Sequence, residues 1–167
     1  IGHGLNSVPK MIMVKGIDSN STPDQWMVYH EALGNTKRIK LNSTDAAATG
    51  SGYWNNTTPN SSLFTVGNSS EGNSGNGIYI AYCFAEKQGF SKFGSYTGNG
   101  NADGTFVYTG FKPAWVMVKV TSTANNWLMY DNKRDTFNPT DNYLSADLSG
   151  AEVADSAIDV DFLSNGF

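Results

Sequence analysis

Gly110-Phe111-Lys112-Pro113-Ala114-Trp115-Val116-Met117-Val118-Lys119 restates, roughly one hundred residues on, the earlier stretch Val8-Pro9-Lys10-Met11-Ile12-Met13-Val14-Lys15. In each copy a Pro precedes an unbroken apolar run that a Lys closes, the pattern of a short buried strand bounded by a turn. A second apolar run follows in both copies, Gln25-Trp26-Met27-Val28-Tyr29-His30 in the first and Asn126-Trp127-Leu128-Met129-Tyr130-Asp131 in the second. The chain is therefore an internal repeat, with copies expected over residues 1–88 and 105–167 and a hairpin connection over 89–109.

The 167 residues suffice for one well-buried domain. Eleven Lys and Arg stand against fifteen Asp and Glu with no basic cluster, which argues against a nucleic-acid partner. The single cysteine, Cys83, excludes an internal disulfide, and its neighbours Tyr82 and Phe84 make it a small core residue rather than a nucleophile. No apolar run is long enough to insert as a membrane-spanning helix, and the start lacks a signal-peptide layout. The chain opens on Ile1 and the second copy stops at Phe167 before a counterpart of the first copy's last strand. This reads as a piece of a longer protein.

Several further strands are expected. Ile39-Lys40-Leu41-Asn42 aligns with Tyr143-Leu144-Ser145, Leu63-Phe64-Thr65-Val66 forms a strand, and residues 67–77 form a polar loop without apolar packing content. Residues 18–24 read as a turn-rich loop. Residues 78–86 give the longest strand, with Ile78, Ile80, Tyr82 and Phe84 on one face and Ala81, Cys83 and Ala85 on the other, expected in the core. The Asn-Gly and Asp-Gly pairs within 97–104 mark a turn between 90–96 and 105–109. Ala157-Ile158-Asp159-Val160-Asp161-Phe162-Leu163 alternates apolar and acidic residues as a half-exposed strand does. Many short strands with polar turns imply an all-β, antiparallel β-sandwich, built from two related halves as one composite domain over 1–167.

Tyr79-Ile80-Ala81-Tyr82-Cys83-Phe84-Ala85-Glu86, Phe93-Gly94-Ser95-Tyr96-Thr97-Gly98-Asn99-Gly100, Gly110-Phe111-Lys112-Pro113 and Leu163-Ser164-Asn165-Gly166-Phe167 together resemble a repeated module of bacteriophage structural proteins. That module is common in marine and cyanobacterial phages, in proteins described as tail fibre or lectin-like. The resemblance implies a jelly-roll or concanavalin-like sandwich and a virion location on the particle surface. The family's Asp-x-x-Arg element is matched by Asp131 and Arg134, whereas the first copy has His30 and Leu33 there, so the role of that pair is expected to be missing from copy one.

Positions shared by the copies are expected to be scaffold, which makes Trp26 and Trp127 core anchors. The segment 50–60 has no counterpart in the second copy. Its Tyr53 and Trp54, beside Asn55 and Asn56, suit a carbohydrate, whose C–H face stacks on a ring while its hydroxyls bond to amides. The competing structural role is a loop aromatic tucked onto the edge of the sandwich. Asp131 with Arg134 reads as a turn salt bridge. His3 and His30 are too isolated for a metal site, and the run from Asn99 to Asp103 lacks the bidentate acid of a calcium loop. Asp159 and Asp161 superficially match a glycosidase acid pair, but alternating acids on a solvated strand account for them. No catalytic residue, metal or cofactor is expected.

The function expected is a phage virion structural protein, in a tail fibre or appendage, adhering to host-surface glycan and self-associating as a homo-oligomer. The first alternative is a capsid-decoration or fibre-shaft module that binds other virion proteins; the second is a polysaccharide-degrading enzyme.

Overall fold

The computed structural model describes residues 1–21 and 25–167. Of the loop expected over 18–24, Thr22, Pro23 and Asp24 lie outside the described residues. The fold is all-β as expected, carried by two antiparallel sheets and interrupted by single helical turns. Two compact units divide the chain, Ile1–Glu86 with Thr121–Asn125, and Lys87–Val120 with Asn126–Phe167.

The first unit contains β1 (Met11–Gly16), β2 (Trp26–His30), β3 (Lys37–Lys40), β4 (Ala48–Thr49) and β5 (Tyr79–Phe84), in the sheet order β4-β3-β2-β1-β5. Because side chains alternate along a strand, Ile12, Val14, Met27 and Tyr29 share one face. That face is buried under Trp54 and Phe64, with Tyr53, Val66, Tyr79 and Cys83 packed around them. Trp54 ends the helical turn α1 (Ser51–Trp54), and α2 (Ser70–Asn73) lies over the same sheet. Arg38 of β3 anchors this cover through Nε to Glu71 Oε2 at 2.8 Å and Nη2 to Glu71 Oε1 at 3.0 Å.

The second unit contains β6 (Trp115–Lys119), β7 (Trp127–Asp131), β8 (Asn142–Ser145) and β9 (Val153–Ala154), in the order β6-β7-β8-β9. Its core gathers Val116, Tyr130 and Phe162, with Val118, Leu128, Tyr143, Val160 and Phe167 partly buried around them.

The repeat holds at the level of register. Ile12 faces Tyr29 and Val14 faces Met27, as Val116 faces Tyr130 and Val118 faces Leu128. Phe64 exchanges backbone hydrogen bonds with Ile1 as Phe167 does with Val107. Ile39 faces Val28 and Leu144 faces Met129, so Ile39 corresponds to Leu144, one residue from the alignment with Tyr143 that apolar matching suggested. Charge hid the true match: buried Arg38 stands where Tyr143 does. The start of segment 50–60 has a counterpart, since Gly50 N–H donates to Thr36 O at 2.8 Å as Asp155 N–H does to Asp141 O at 3.0 Å, but the helical turn that follows Gly50 does not recur among the described residues of the second copy.

Other expectations are corrected. β5 is an edge strand whose large face is open, with Ile80, Tyr82 and Phe84 39%, 43% and 40% exposed. Trp54 and Phe64 already fill the covered side of the sheet, and it is the face of Tyr79 and Cys83 that packs there. Segment 67–77 does pack, through α2 and buried Gly72. The 63–66 strand reduces to a bridge between Gly2 and Leu63, and the 89–109 hairpin to irregular chain with bridges Lys87–Ser91 and Tyr108–Gly166. In 157–163, Val160 and Phe162 turn inward as the alternation predicts, but only isolated bridges form, at Val160 and Leu163.

Glu71→Ala strands a guanidinium whose side chain is only 8% exposed, so it is expected to destabilise the first unit by about 3–5 kcal/mol in urea denaturation.

Candidate functional site

Segment 50–60 folds as scaffold around its tryptophan. Trp54 is 1% exposed, meets the Tyr29 ring edge-on at 5.5 Å, and donates its indole N–H to Lys37 O at 2.9 Å. It therefore offers no face to a sugar, and the carbohydrate role expected for it is withdrawn. Tyr53 is half-buried, with the Arg38 guanidinium 4.9 Å from its ring centre. Asn55 and Asn56 are exposed at φ of 51° and 49°, a left-handed conformation that asparagine tolerates better than most residues. Asn56 O accepts from Asn35 Nδ2 at 3.0 Å. The structure brings the four residues together as a turn over the sheet.

The aromatic surface lies on the opposite face of the first sheet. There Trp26, at the start of β2, is half-buried and stacks on Tyr82 of β5 with ring centres 6.1 Å apart and planes at 21°. Lys15 brings its ammonium to 5.8 Å from the Trp26 ring. Register explains the grouping: Trp26 and Ile80 both pair with Lys15, and Tyr82 and Val28 both pair with Met13. Val28 and Ile39 on this face are buried, so exposure concentrates toward β5. The expectation that both repeated tryptophans anchor a core holds for Trp127, 3% exposed, and fails for Trp26. A signal was present in the sequence: Trp26 and Tyr82 lie on the faces opposite Met27 and Cys83, but alternation alone does not say which face is covered.

Aromatic rings beside an ammonium form a surface on which C–H groups stack and hydroxyls or anionic groups find a donor. The second unit instead holds a cavity of about 190 Å3, bordered by Tyr96, Val118, Leu128, Tyr130 and Asp159. It falls below the roughly 300 Å3 at which pockets begin to hold small molecules. The Tyr130 phenol donates to Ile158 O at 2.5 Å, and burial pushes its pKa up to about 12.

Asp131 and Arg134 form the expected turn salt bridge at 2.8 Å, and Arg134 also reaches Glu152 at 2.5 Å. Asp131 Oδ1 accepts the N–H groups of Lys133 and Arg134. At the matching position His30 Nδ1 accepts from Ala32 N–H at 3.2 Å, so the first copy keeps a turn cap there, with Leu33 in place of Arg134. Asp159 and Asp161 are exposed. Among the described residues no group of three or more His, Cys, Asp or Glu could hold a metal ion. Burial raises the pKa of the half-buried Cys83 thiol, which disfavours the thiolate.

Burial lowers the His30 pKa below its ordinary 6.5, outweighing the opposite effect of Glu31. The unfolded chain then binds more protons below pH 6.5, so stability falls as pH drops from that value through the folded pKa. Asp18, Asp45, Asp131 and Asp135 are held below 3.8, and their contribution is lost only in a more acidic window. The urea midpoint is expected to decline between pH 7 and 5, and His30→Asn, which keeps an acceptor for Ala32, is expected to flatten that decline.

A family model described as a domain of unknown function (DUF7483) matches residues 1–167. Comparison with curated proteins and with solved structures finds no match.

Proposed function

The chain belongs to the DUF7483 domain family, and we propose that it is a structural module of a phage virion, carried in a tail fibre or appendage, that adheres to host-surface glycan. The observation that supports adhesion is the stacked Trp26–Tyr82 pair with Lys15 beside it. Its placement on sheet strands rather than on a loop holds the rings in a fixed relation, so little ordering accompanies binding. Weak single-site affinity would be multiplied by the copies on a particle. The virion setting rests on the resemblance of the repeat to phage structural modules, and the module carries out no catalysis in this account.

A second role for the same face is favoured by Ile80 and Phe84. These large apolar residues flank Tyr82 at 39% and 40% exposure, a stripe suited to burial against a neighbouring virion protein.

Glycan arrays and host-cell adsorption with the multimerised domain separate the two roles. Trp26→Ala is expected to weaken glycan binding about tenfold or more while circular dichroism stays unchanged. Binding that survives both Trp26→Ala and Tyr82→Ala would take adhesion off this face, and a wild type that binds no glycan would remove the adhesion role. Assembly lost in Ile80→Lys and Phe84→Lys, with no glycan bound by the wild type, would establish the second.

A further inference from the structure

β5 and β6 each end a sheet, and the outward backbone groups of Ala81, Cys83, Trp115 and Met117 have no strand partner among the described residues. Which residues face outward follows from the ladders. Ile17 N–H donates to its opposite residue Ile78 at 2.9 Å, and alternation then directs the groups of Ile80 and Tyr82 toward β1 and those of Tyr79, Ala81 and Cys83 outward. Asn132 N–H donates to Ala114 O at 3.1 Å, so Val116 and Val118 bond toward β7 while Trp115 and Met117 face outward. In the first unit the equivalents of those two residues, Met11 and Met13, are where β5 docks.

We propose that β5 of one copy of this chain pairs antiparallel with β6 of a second copy, joining their sheets edge to edge. Size complementarity supports this occupant. Outward bonding from Ala81 and Cys83 to Trp115 and Met117 places small side chains beside large ones on one face, Trp115 being 54% exposed in the single chain. On the other face Ile80 and Tyr82 of the incoming strand align with Val116 and Val118. Val118 borders the open cavity of about 190 Å3, which offers room to an apolar side chain and little to a small-molecule ligand. Val118 and Leu128 are only partly buried, so this face of the second unit has apolar area left to cover, whereas their equivalents Val14 and Met27 are closed over by Trp54 and Phe64 at 2% and 0% exposure. Neither exposed strand carries a Pro, and only Lys119 places a charge in them. The contact is heterologous, since each copy gives one edge and receives on another, so it propagates into rings or filaments. It does not depend on glycan adhesion, and a negative glycan array leaves it standing.

Sedimentation velocity on the intact chain tests it through edge-blocking variants. Ala81→Pro removes the outward N–H of β5, and Met117→Pro that of β6, while each strand's bonds to its own sheet remain. Wild type is expected to form oligomers that grow with concentration, and each variant alone to be monomeric. An equimolar mixture of the two should stop at a one-to-one dimer, because one edge of each kind survives. If either proline disturbs the circular dichroism spectrum, Ala81→Lys and Trp115→Lys, both at exposed positions, serve the same mixing scheme. A monomeric wild type, oligomers that persist in either variant, or a mixture that fails to pair overturns the proposal.

Discussion

The bidentate Arg38–Glu71 pair is the contact on which the first unit's architecture turns. Both side chains are largely out of solvent, at 8% and 15% exposure, and Lys40 adds a third charge 3.7 Å from Glu71. Charges removed from water are costly unless paired with good geometry, so Glu71 has essentially one position, and α2 with it. Fixing α2 brings Gly72 so close to the sheet that a Cβ there would sit 2.4 Å from Met27 Cε. It also brings Ser70 O and Ser74 N–H to the Tyr79 hydroxyl, which ties the cover to the first residue of β5. The second unit has Tyr143 in place of Arg38, and its ring lies 5.9 Å from that of Tyr130. One frame is thus closed by an ion pair and the other by an aromatic contact.

What could be read in the sequence follows from what alternation encodes. The apolar runs of β1, β2, β6 and β7 located four strands and their recurrence, and the structure gives the two pairs the same relative register. Alternation also separated the faces of β5 correctly. It could not say which face would be covered, since that depends on Trp54 and Phe64, which arrive from elsewhere in the chain. The same gap misplaced the aromatics. Trp54 sits in a Gly-Asn-Thr context that suggests a surface loop, yet its indole N–H finds Lys37 O and its ring finds Tyr29, a long-range fit that local composition does not carry. Trp26 and Trp127 occupy equivalent positions with different exposure, so sharing between copies is no guarantee of burial.

The Trp26–Tyr82 stack and the open edge of β5 have a common origin. β5 carries large side chains on a face left open among the described residues, and it ends its sheet, so apolar area and an outer backbone edge occur in the same six residues. Globular chains usually blunt such edges with charge, proline or a bulge. Here neither β5 nor β6 carries a Pro, and Lys119 places the one charge in them.

The paired clamps Gly50–Thr36 and Asp155–Asp141 mark where each copy leaves its last small strand, and the Phe64–Ile1 and Phe167–Val107 ladders mark where it returns. Between those fixed points the two copies run different lengths of chain and fold them differently, one through a tryptophan-bearing helical turn and one without. Departure and return are held by main-chain bonds that no side chain specifies. The stretch between them therefore differs in length and path between the copies while each supplies its own buried aromatic to the sheet beneath, Trp54 in one and Phe162 in the other.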